Sequence, residues 1–249
     1  MSKKGEIIIF NKRILTIFIG LSILLLVSAC GDNGNNENSE SAEAENPETP
    51  EQVEISKEEL VADDEVVATV NETEIMGSKY NPAYRERKEL ENLSTGPDQE
   101  IDKEQIKEIT LEGLIGQELI NQEAKELGIE VTDEDIEEEI EMIESQEGDV
   151  LDSLLEQFDW TEEDLENQIR TDLMNTRYTE ETIDVEVTDE EAKEEYERVK
   201  AETEDKDTVP EYEEVEDNVK AQMKQQKQNE ELLKHIDEFK EDADIEILI

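Results

Sequence analysis

Cysteine and histidine are nearly absent from this sequence, which has one of each, Cys30 and His235. Zinc sites need several such ligands, so a zinc centre is excluded, and one cysteine cannot form an internal disulfide. A nucleophile–histidine pair could use only His235, which lies four residues before Phe239 on the packing face of a predicted helix. Packing is therefore the expected role of His235.

Glycine is also scarce, with ten residues in the chain, and no G-K-[ST] motif occurs. A phosphate-binding loop of the common type therefore has no support. Acidic pairs occur throughout, so no single pair indicates acid–base catalysis. The acidic runs 133–141 and 211–216 lack the glycine-centred spacing of a calcium loop. We predict no catalytic residue, no metal site and no cofactor.

Basic residues are few beside acidic ones: 23 Lys and Arg stand against 74 Asp and Glu, a formal net charge of -51. Residues 1–29 hold four basic side chains and Glu6, so the rest of the chain carries 19 minus 73, or -54. Such a charge repels nucleic acid and anionic lipid surfaces, and neither is expected as a partner.

The N-terminus has the pattern of an export signal. Four basic residues within the first thirteen precede the apolar run 14–27, which is too short to cross a hydrocarbon core of about 30 Å as a helix. The run ends Val27-Ser28-Ala29-Cys30, which resembles the lipobox of bacterial lipoproteins. We expect residues 1–29 to be a signal peptide and Cys30 to carry lipid that holds the protein on the outer face of the cell membrane. The alternative is ordinary secretion with a cysteine near the cleavage site by chance.

A linker is expected between the anchor and the folded part. Residues 31–52 are dominated by Asn, Glu, Ser, Gly and Pro and show no apolar period. Such a segment buries too little apolar surface to offset its chain entropy. We therefore assign residues 30–60 to the lipidated cysteine and a disordered acidic linker, and residues 61–249 to the folded domain.

The folded domain is predicted to be mainly α-helical with a small β-sheet. Strands are expected at 66–70 and 74–76 with Asn71 in the turn, and the apolar alternation of 245–249 suits a third strand paired with the first. Ser78 is expected to cap a helix from Lys79 that has Pro82 in its first turn.

Further helices are predicted from their capping and apolar patterns. A helix over 102–127 ends at Gly128, and its Gly113 and Gly116 leave room for another helix. Threonines with an acid three residues later indicate three capping boxes, at Thr132, Thr161 and Thr188. A short helix covers 150–158. The last helix, 211–240, has apolar stripes near both ends and none between, which is typical of a helix that bridges two bodies.

Several segments, taken in order, carry a family resemblance. They read VVATVNETEI, LIGQELINQEAKELGIEVTDEDIEEEIE, WTEEDLENQIR and VTDEEAKEEYE, followed by a long helix that leads to IEILI. This order resembles the N-terminal chaperone domain of SurA and of the foldase lipoprotein PrsA, which is similar to the C-terminal domain of trigger factor. Full-length members carry a parvulin-type isomerase domain after the helix that corresponds to 188–201. Here about ten residues, 202–210, fill that place, so we expect no isomerase activity.

The resemblance implies an ATP-independent chaperone that holds unfolded or nascent exported polypeptides outside the membrane. Methionine and aromatic side chains repack readily around varied clients. The candidate client-binding residues are Tyr80, Tyr84, Met142, Met174 and Tyr178; the alternative for each is a place in the core or an isolated position on the surface. Two other functions stay open: a non-enzymatic assembly module for a dedicated envelope partner, and a peptidyl-prolyl isomerase by family label only.

Overall fold

The computed structural model describes residues 53–96, 101–148, 150–203 and 209–249. The chain divides into two units, Met1–Glu51 and Gln52–Ile249, and every element below belongs to the second. The predicted signal peptide, Cys30 and the linker up to residue 52 lie outside the described ranges. Within those ranges, no helix is both long and apolar enough to span a membrane.

The described residues form seven helices and a three-stranded sheet, so the prediction of a mainly helical fold is confirmed. The elements are, in chain order, β1 Val66–Val70, β2 Thr73–Met76, α1 Gly77–Thr95, α2 Lys103–Leu127, α3 Asp133–Glu147, α4 Val150–Phe158, α5 Glu162–Thr182, α6 Asp189–Glu202, α7 Tyr212–Asp242 and β3 Ile245–Ile247. The main core lies between the sheet, α1 and α2.

The sheet joins the two ends of the folded domain, as the sequence predicts. Its order is β2-β1-β3 with both pairs antiparallel, and Val70 lies opposite Ile245. Asn71 adopts a positive φ of 55° in the β1–β2 turn. Its N–H donates to the carbonyl of Asp244 at 2.7 Å, and its side-chain oxygen accepts from the N–H of Asp244 at 3.0 Å. One turn residue therefore also fixes the start of β3.

Helix α1 begins differently from the prediction. It starts at Gly77, directly after β2, and no side chain caps it. The N–H of Gly77 donates to the carbonyl of Glu65 at 2.7 Å, and that of Ser78 donates to the carbonyl of Asp63 at 3.0 Å. These carbonyls take the place of a cap because they bind the otherwise unpaired first amides of the helix. The cap predicted at Ser78 is therefore wrong, and Pro82 lies in the second turn rather than the first.

Helix α2 is central and packs against the sheet, α1, α5 and α7. Asp102 caps its start, and Gly128, with a φ of 76°, ends it in the left-handed conformation. A Cβ added to Gly116 would lie 3.3 Å from Ile236 Cγ2, so this glycine does admit α7 closely. The same prediction is wrong for Gly113, which faces open space.

The three predicted capping boxes are all confirmed. In each, the threonine hydroxyl accepts from a backbone N–H at 3.2 Å, and the acid three residues on accepts from the threonine N–H. They start α3, α5 and α6. Each box depends on residues three positions apart, so the sequence pattern is sufficient to place these helix starts.

The expected linker is wrong at its C-terminal end, because residues 53–63 form an ordered segment, here named the strap, that lies along α1. Lys88 donates to a Glu59 carboxylate oxygen at 2.5 Å and to the carbonyl of Glu54 at 2.7 Å. Asn81 binds the backbone N–H and carbonyl of Val61. Three apolar strap residues also pack on the main core, Ile55, Leu60 and Val61. Half-buried apolar side chains and paired polar groups together hold the segment in place.

Candidate functional site

Helix α6 and the first half of α7 form a hairpin that we name the arm, residues 189–202 and 212–227. Among the larger helix contacts of the described residues, α6 packs only against α7, while the second half of α7 packs on α2. None of the 31 residues of α7 is fully buried. The prediction of a last helix that bridges two bodies agrees with this arrangement.

Charged side chains fix the arm where α6 begins. Glu191 completes the capping box of Thr188 and also pairs with Lys227 at 2.7 Å. These contacts, the Lys227 ammonium first, lower the pKa of Glu191 to about 2. A second ion pair joins Lys220 to Asp189 at 2.6 Å. The same residues thus start α6 and attach it to α7.

An aromatic pair joins the two helices of the arm. The rings of Tyr196 and Tyr212 lie 5.4 Å apart, and the Tyr196 hydroxyl donates to the carbonyl of Pro210 at 2.7 Å. The Lys200 ammonium lies 5.3 Å from the centre of the Tyr196 ring. The arm therefore has a small apolar cluster of its own, apart from the main core.

The arm joins the body through a second core between α2, α5 and α7. Its buried members are Ile120, Ala124, Ile129 and Tyr178, with Ile236 and Phe239 packed against them. His235 Nδ1 lies 3.3 Å from the Tyr178 hydroxyl, and its ring contacts the rings of Tyr178 and Phe239. The expected packing role of His235 is confirmed.

Three of the five candidate client-binding residues are core residues, which corrects their assignment. Tyr80 and Tyr84 are each 1% exposed and pack against each other, and the Tyr84 hydroxyl donates to Glu59 of the strap. Tyr178 is buried in the second core. Their rings cannot touch a client because strap and helix side chains already cover them. Met142 and Met174 are half-buried, and Met174 packs on the second core.

The exposed apolar side chains are others that were not among the five candidates. Leu233 is 62% exposed although it lies near the end of the last helix, where an apolar stripe was predicted, and Leu127 and Val199 are also exposed. Leu233 follows Leu232, which packs on the second core. Adjacent helix positions point about 100° apart, and that offset is the signal that separates the two leucines.

The described residues hold no group of three or more His, Cys, Asp or Glu side chains arranged to bind a metal ion. The arrangement can instead offer exposed apolar side chains, Val199 on the arm, Leu233 on the second half of α7 and Leu127 at the end of α2. This defines a class of protein, a helical binding domain closed by a small sheet, in which the described side chains provide contact surface.

The chain belongs to the SurA-like N-terminal domain family, whose model matches residues 10–179. Foldase protein PrsA of Caldanaerobacter subterraneus subsp. tengcongensis is 33% identical over 154 residues, which are 58% of this chain and 46% of that protein. The chain thus spans about half the length of this curated relative.

A solved structure is also similar to this chain. It comes from the pair of structurally related SurA-like chaperones of Campylobacter jejuni, the virulence factor PEB4 and the periplasmic protein Cj1289. The match has 14% identity and a TM-score of 0.45, and it covers 74% of this chain and 98% of the other.

Proposed function

We propose that this protein is a lipid-anchored, extracytoplasmic chaperone that holds unfolded exported polypeptides without ATP. The structural feature that supports the proposal is the long helix α7 together with the arm. A helix of 31 residues, about 46 Å long, runs through the domain with no fully buried side chain. Exposed Val199 and Leu233 lie on it or on its partner α6. A long helix that is only half covered offers apolar contact near both of its ends.

The anchor is proposed from the N-terminal sequence alone. The lipobox-like segment that ends at Cys30 supports lipidation there, and the acidic segment that follows supports a tether, because a self-repelling chain extends. Lipid would concentrate the chaperone at the surface where exported chains emerge. Replacement of Cys30 by Ala should release the protein from the membrane fraction. Retention of the C30A variant in that fraction would contradict the proposal.

We further propose that the protein acts without isomerase catalysis. Only the nine residues 203–211 connect α6 to α7, the place where full-length relatives of this type carry a parvulin domain. A proline-isomerisation assay with the purified full-length protein should give rates at background. Catalysis above background would contradict this part of the proposal.

Aggregation of unfolded proteins tests the chaperone function directly. The purified full-length protein should suppress the light scattering of several unrelated proteins diluted from denaturant. The triple variant Leu127→Ser/Val199→Ser/Leu233→Ser should suppress it several-fold less well, because it removes exposed apolar surface. Its stability should change by no more than about 0.5 kcal/mol per site, since all three side chains are exposed.

A matched control replaces exposed acidic residues on the same helices. The variant Glu126→Ser/Glu197→Ser/Glu238→Ser should suppress aggregation as well as the unaltered protein does. Suppression of none of the unrelated proteins would favour an assembly module for one dedicated partner. Equal loss in both triple variants would show that these apolar side chains are not the contact surface.

A further inference from the structure

Strand β3 lies at an edge of the sheet and pairs on one side only. The sheet order is β2-β1-β3, so no strand of the described residues lies on the other side of β3. The pairing with β1 continues past both ends of the strand. The N–H of Asn71 donates to the carbonyl of Asp244 at 2.7 Å, and the N–H of Leu248 donates to the carbonyl of Val67 at 2.9 Å. Residues 244–248 therefore form one continuous edge, here named the β3 edge.

The register shows which backbone groups of the β3 edge face outward. In an antiparallel pair, residues that exchange hydrogen bonds with the neighbouring strand alternate with residues that do not. Asp244 and Leu248 are bonded towards β1, and Glu246, midway between them, has the same orientation. The N–H and C=O groups of Ile245 and Ile247 therefore point away from β1, where another strand could bind them.

The side chains of the β3 edge are apolar and accessible. Ile247 is 53% exposed and Leu248 is 48% exposed, and neighbouring residues of an extended chain point to opposite faces of a sheet. Ile245 and Ile249 pack on the main core and hold the edge in place. Proteins often protect such edges with lysine, proline or a bulge, because outward backbone groups can pair with another strand. The β3 edge contains no lysine or proline, and its pairing with β1 has no bulge.

Charge near the β3 edge limits what can pair with it. Segment 241–249 has four acidic residues, all exposed, and no basic residue; the acids are Glu241, Asp242, Asp244 and Glu246. A second copy of the chain would bring the same acids to this edge, and each copy has a formal net charge of -51. Repulsion between like charges therefore disfavours pairing of two β3 edges. A neutral or basic extended segment meets no such repulsion.

We propose that the β3 edge binds an extended apolar segment of an unfolded polypeptide as an additional strand, with a preference for segments flanked by Lys or Arg. Backbone hydrogen bonds to Ile245 and Ile247 provide affinity that depends little on sequence, and Ile247 and Leu248 contact side chains on the two faces. The proposal rests on the proposed chaperone function and names the conformation in which a client is bound.

Amide hydrogen exchange of the full-length protein tests the proposal residue by residue. The probe is a short peptide of alternating Val and Thr with a Lys at each end. The peptide should slow exchange at Ile245 and Ile247 about tenfold, because their N–H groups gain partners. Exchange at Glu246 and Leu248 should change less, since their N–H groups already face β1. The same peptide with N-methyl groups on its central residues lacks the donors and should bind about tenfold more weakly.

A proline variant blocks the edge from the side of the protein. Ile247→Pro removes an outward N–H that β1 does not use, a position where an edge strand tolerates proline. This variant should bind the Lys-flanked peptide about tenfold less tightly, the effect of one or two lost hydrogen bonds. Ile247→Val is the matched control, because valine has as many side-chain carbons as proline and keeps the N–H. It should bind the peptide as the unaltered protein does.

The outcomes separate this proposal from the chaperone function, which suppression of aggregation measures independently. Peptide binding without slower exchange at Ile245 and Ile247, or full binding by a folded Ile247→Pro variant, would overturn the proposal while the chaperone function stands. If Ile247→Pro does not fold, the exchange measurement on the unaltered protein decides alone. Equal affinity for a Glu-flanked peptide would overturn the charge preference. Dimerisation that Ile247→Pro abolishes would assign the edge to a second copy instead. Absence of both peptide binding and suppression of aggregation would overturn both proposals.

Discussion

Removal of the Lys88 ammonium should destabilise the domain strongly, because it breaks a buried ion pair. The side chains of Lys88 and Glu59 are 4% and 5% exposed and meet at 2.5 Å. Loss of one partner of a buried pair costs about 3–5 kcal/mol, since the other charge stays behind in a poor solvent. Glu59 keeps its bonds from Ser56 and Tyr84 and its exposed partner Lys103. We therefore expect Lys88→Met to cost about 3 kcal/mol, the lower end of that range.

Urea unfolding followed by circular dichroism measures this cost, with the ionic strength held constant. A loss of about 3 kcal/mol corresponds to a melting temperature lower by about 6–12 °C for a domain of this size. Lys103→Met serves as the control, because its exposed ion pair contributes about 1 kcal/mol or less. The double variant Glu59→Gln/Lys88→Met should recover part of the loss, since no buried charge is left unpaired.

The loss of stability at low pH gives a second measure of the Lys88–Glu59 ion pair. Burial alone would raise the pKa of Glu59, but the Lys88 ammonium and the Ser56 and Tyr84 hydrogen bonds hold it well below its usual range. A lowered pKa contributes stability that is present above the unfolded value, about 4, and lost as the pH falls further. In the Glu59→Gln variant, the free energy of unfolding should therefore fall less steeply as the pH decreases below about 4. A cost of Lys88→Met no larger than that of Lys103→Met would refute this reasoning.

Two further predictions concern single positions. Gly116→Val should lower the free energy of unfolding in urea by about 1–3 kcal/mol, because its Cβ would crowd Ile236. Gly113→Ala should raise the free energy of unfolding by about 0.5–1 kcal/mol, because its helical site is open. A change of the same sign in both variants would contradict the packing described here. Asp172→Asn should stabilise the domain at about pH 8 by about 1–3 kcal/mol, and this gain should vanish by about pH 4. The sign follows because burial raises the folded pKa of Asp172 to about 6, above the ordinary 3.8, so the ionised side chain destabilises the fold increasingly as the pH rises between these values. The Gln168 hydrogen bond opposes this increase in pKa, and the charge of Glu139 adds to it. An equal gain at both pH values would show that ionisation of Asp172 is not its source.

The candidate site was less predictable from the sequence than the fold. The sequence places Tyr80 and Tyr84 on the first helix but does not show that the strap covers them. The start of the strap reads as a continuation of a polar linker, since Ile55 lies between Glu54 and Ser56 and the next three residues, 57–59, are charged. Acids are so frequent that Glu139 and Asp172 could not be singled out by pattern. What distinguishes them is burial, which raises the pKa of both carboxyl groups, and only the packed structure reveals this.

The sequence by itself determined the features that depend on residues close together along the chain. Capping boxes join residues three positions apart, and Gly128 ends α2 in a conformation that few other residues adopt, so neighbours along the chain suffice to place these ends. The pairing of β1 with β3 was also predictable, because few segments share their apolar alternation. The tertiary structure alone decided which tyrosines are buried, which of Gly113 and Gly116 meets α7, and which carboxyl groups are buried. Each of these depends on side chains that are distant in sequence, and their burial and pairing are set only when the helices pack together.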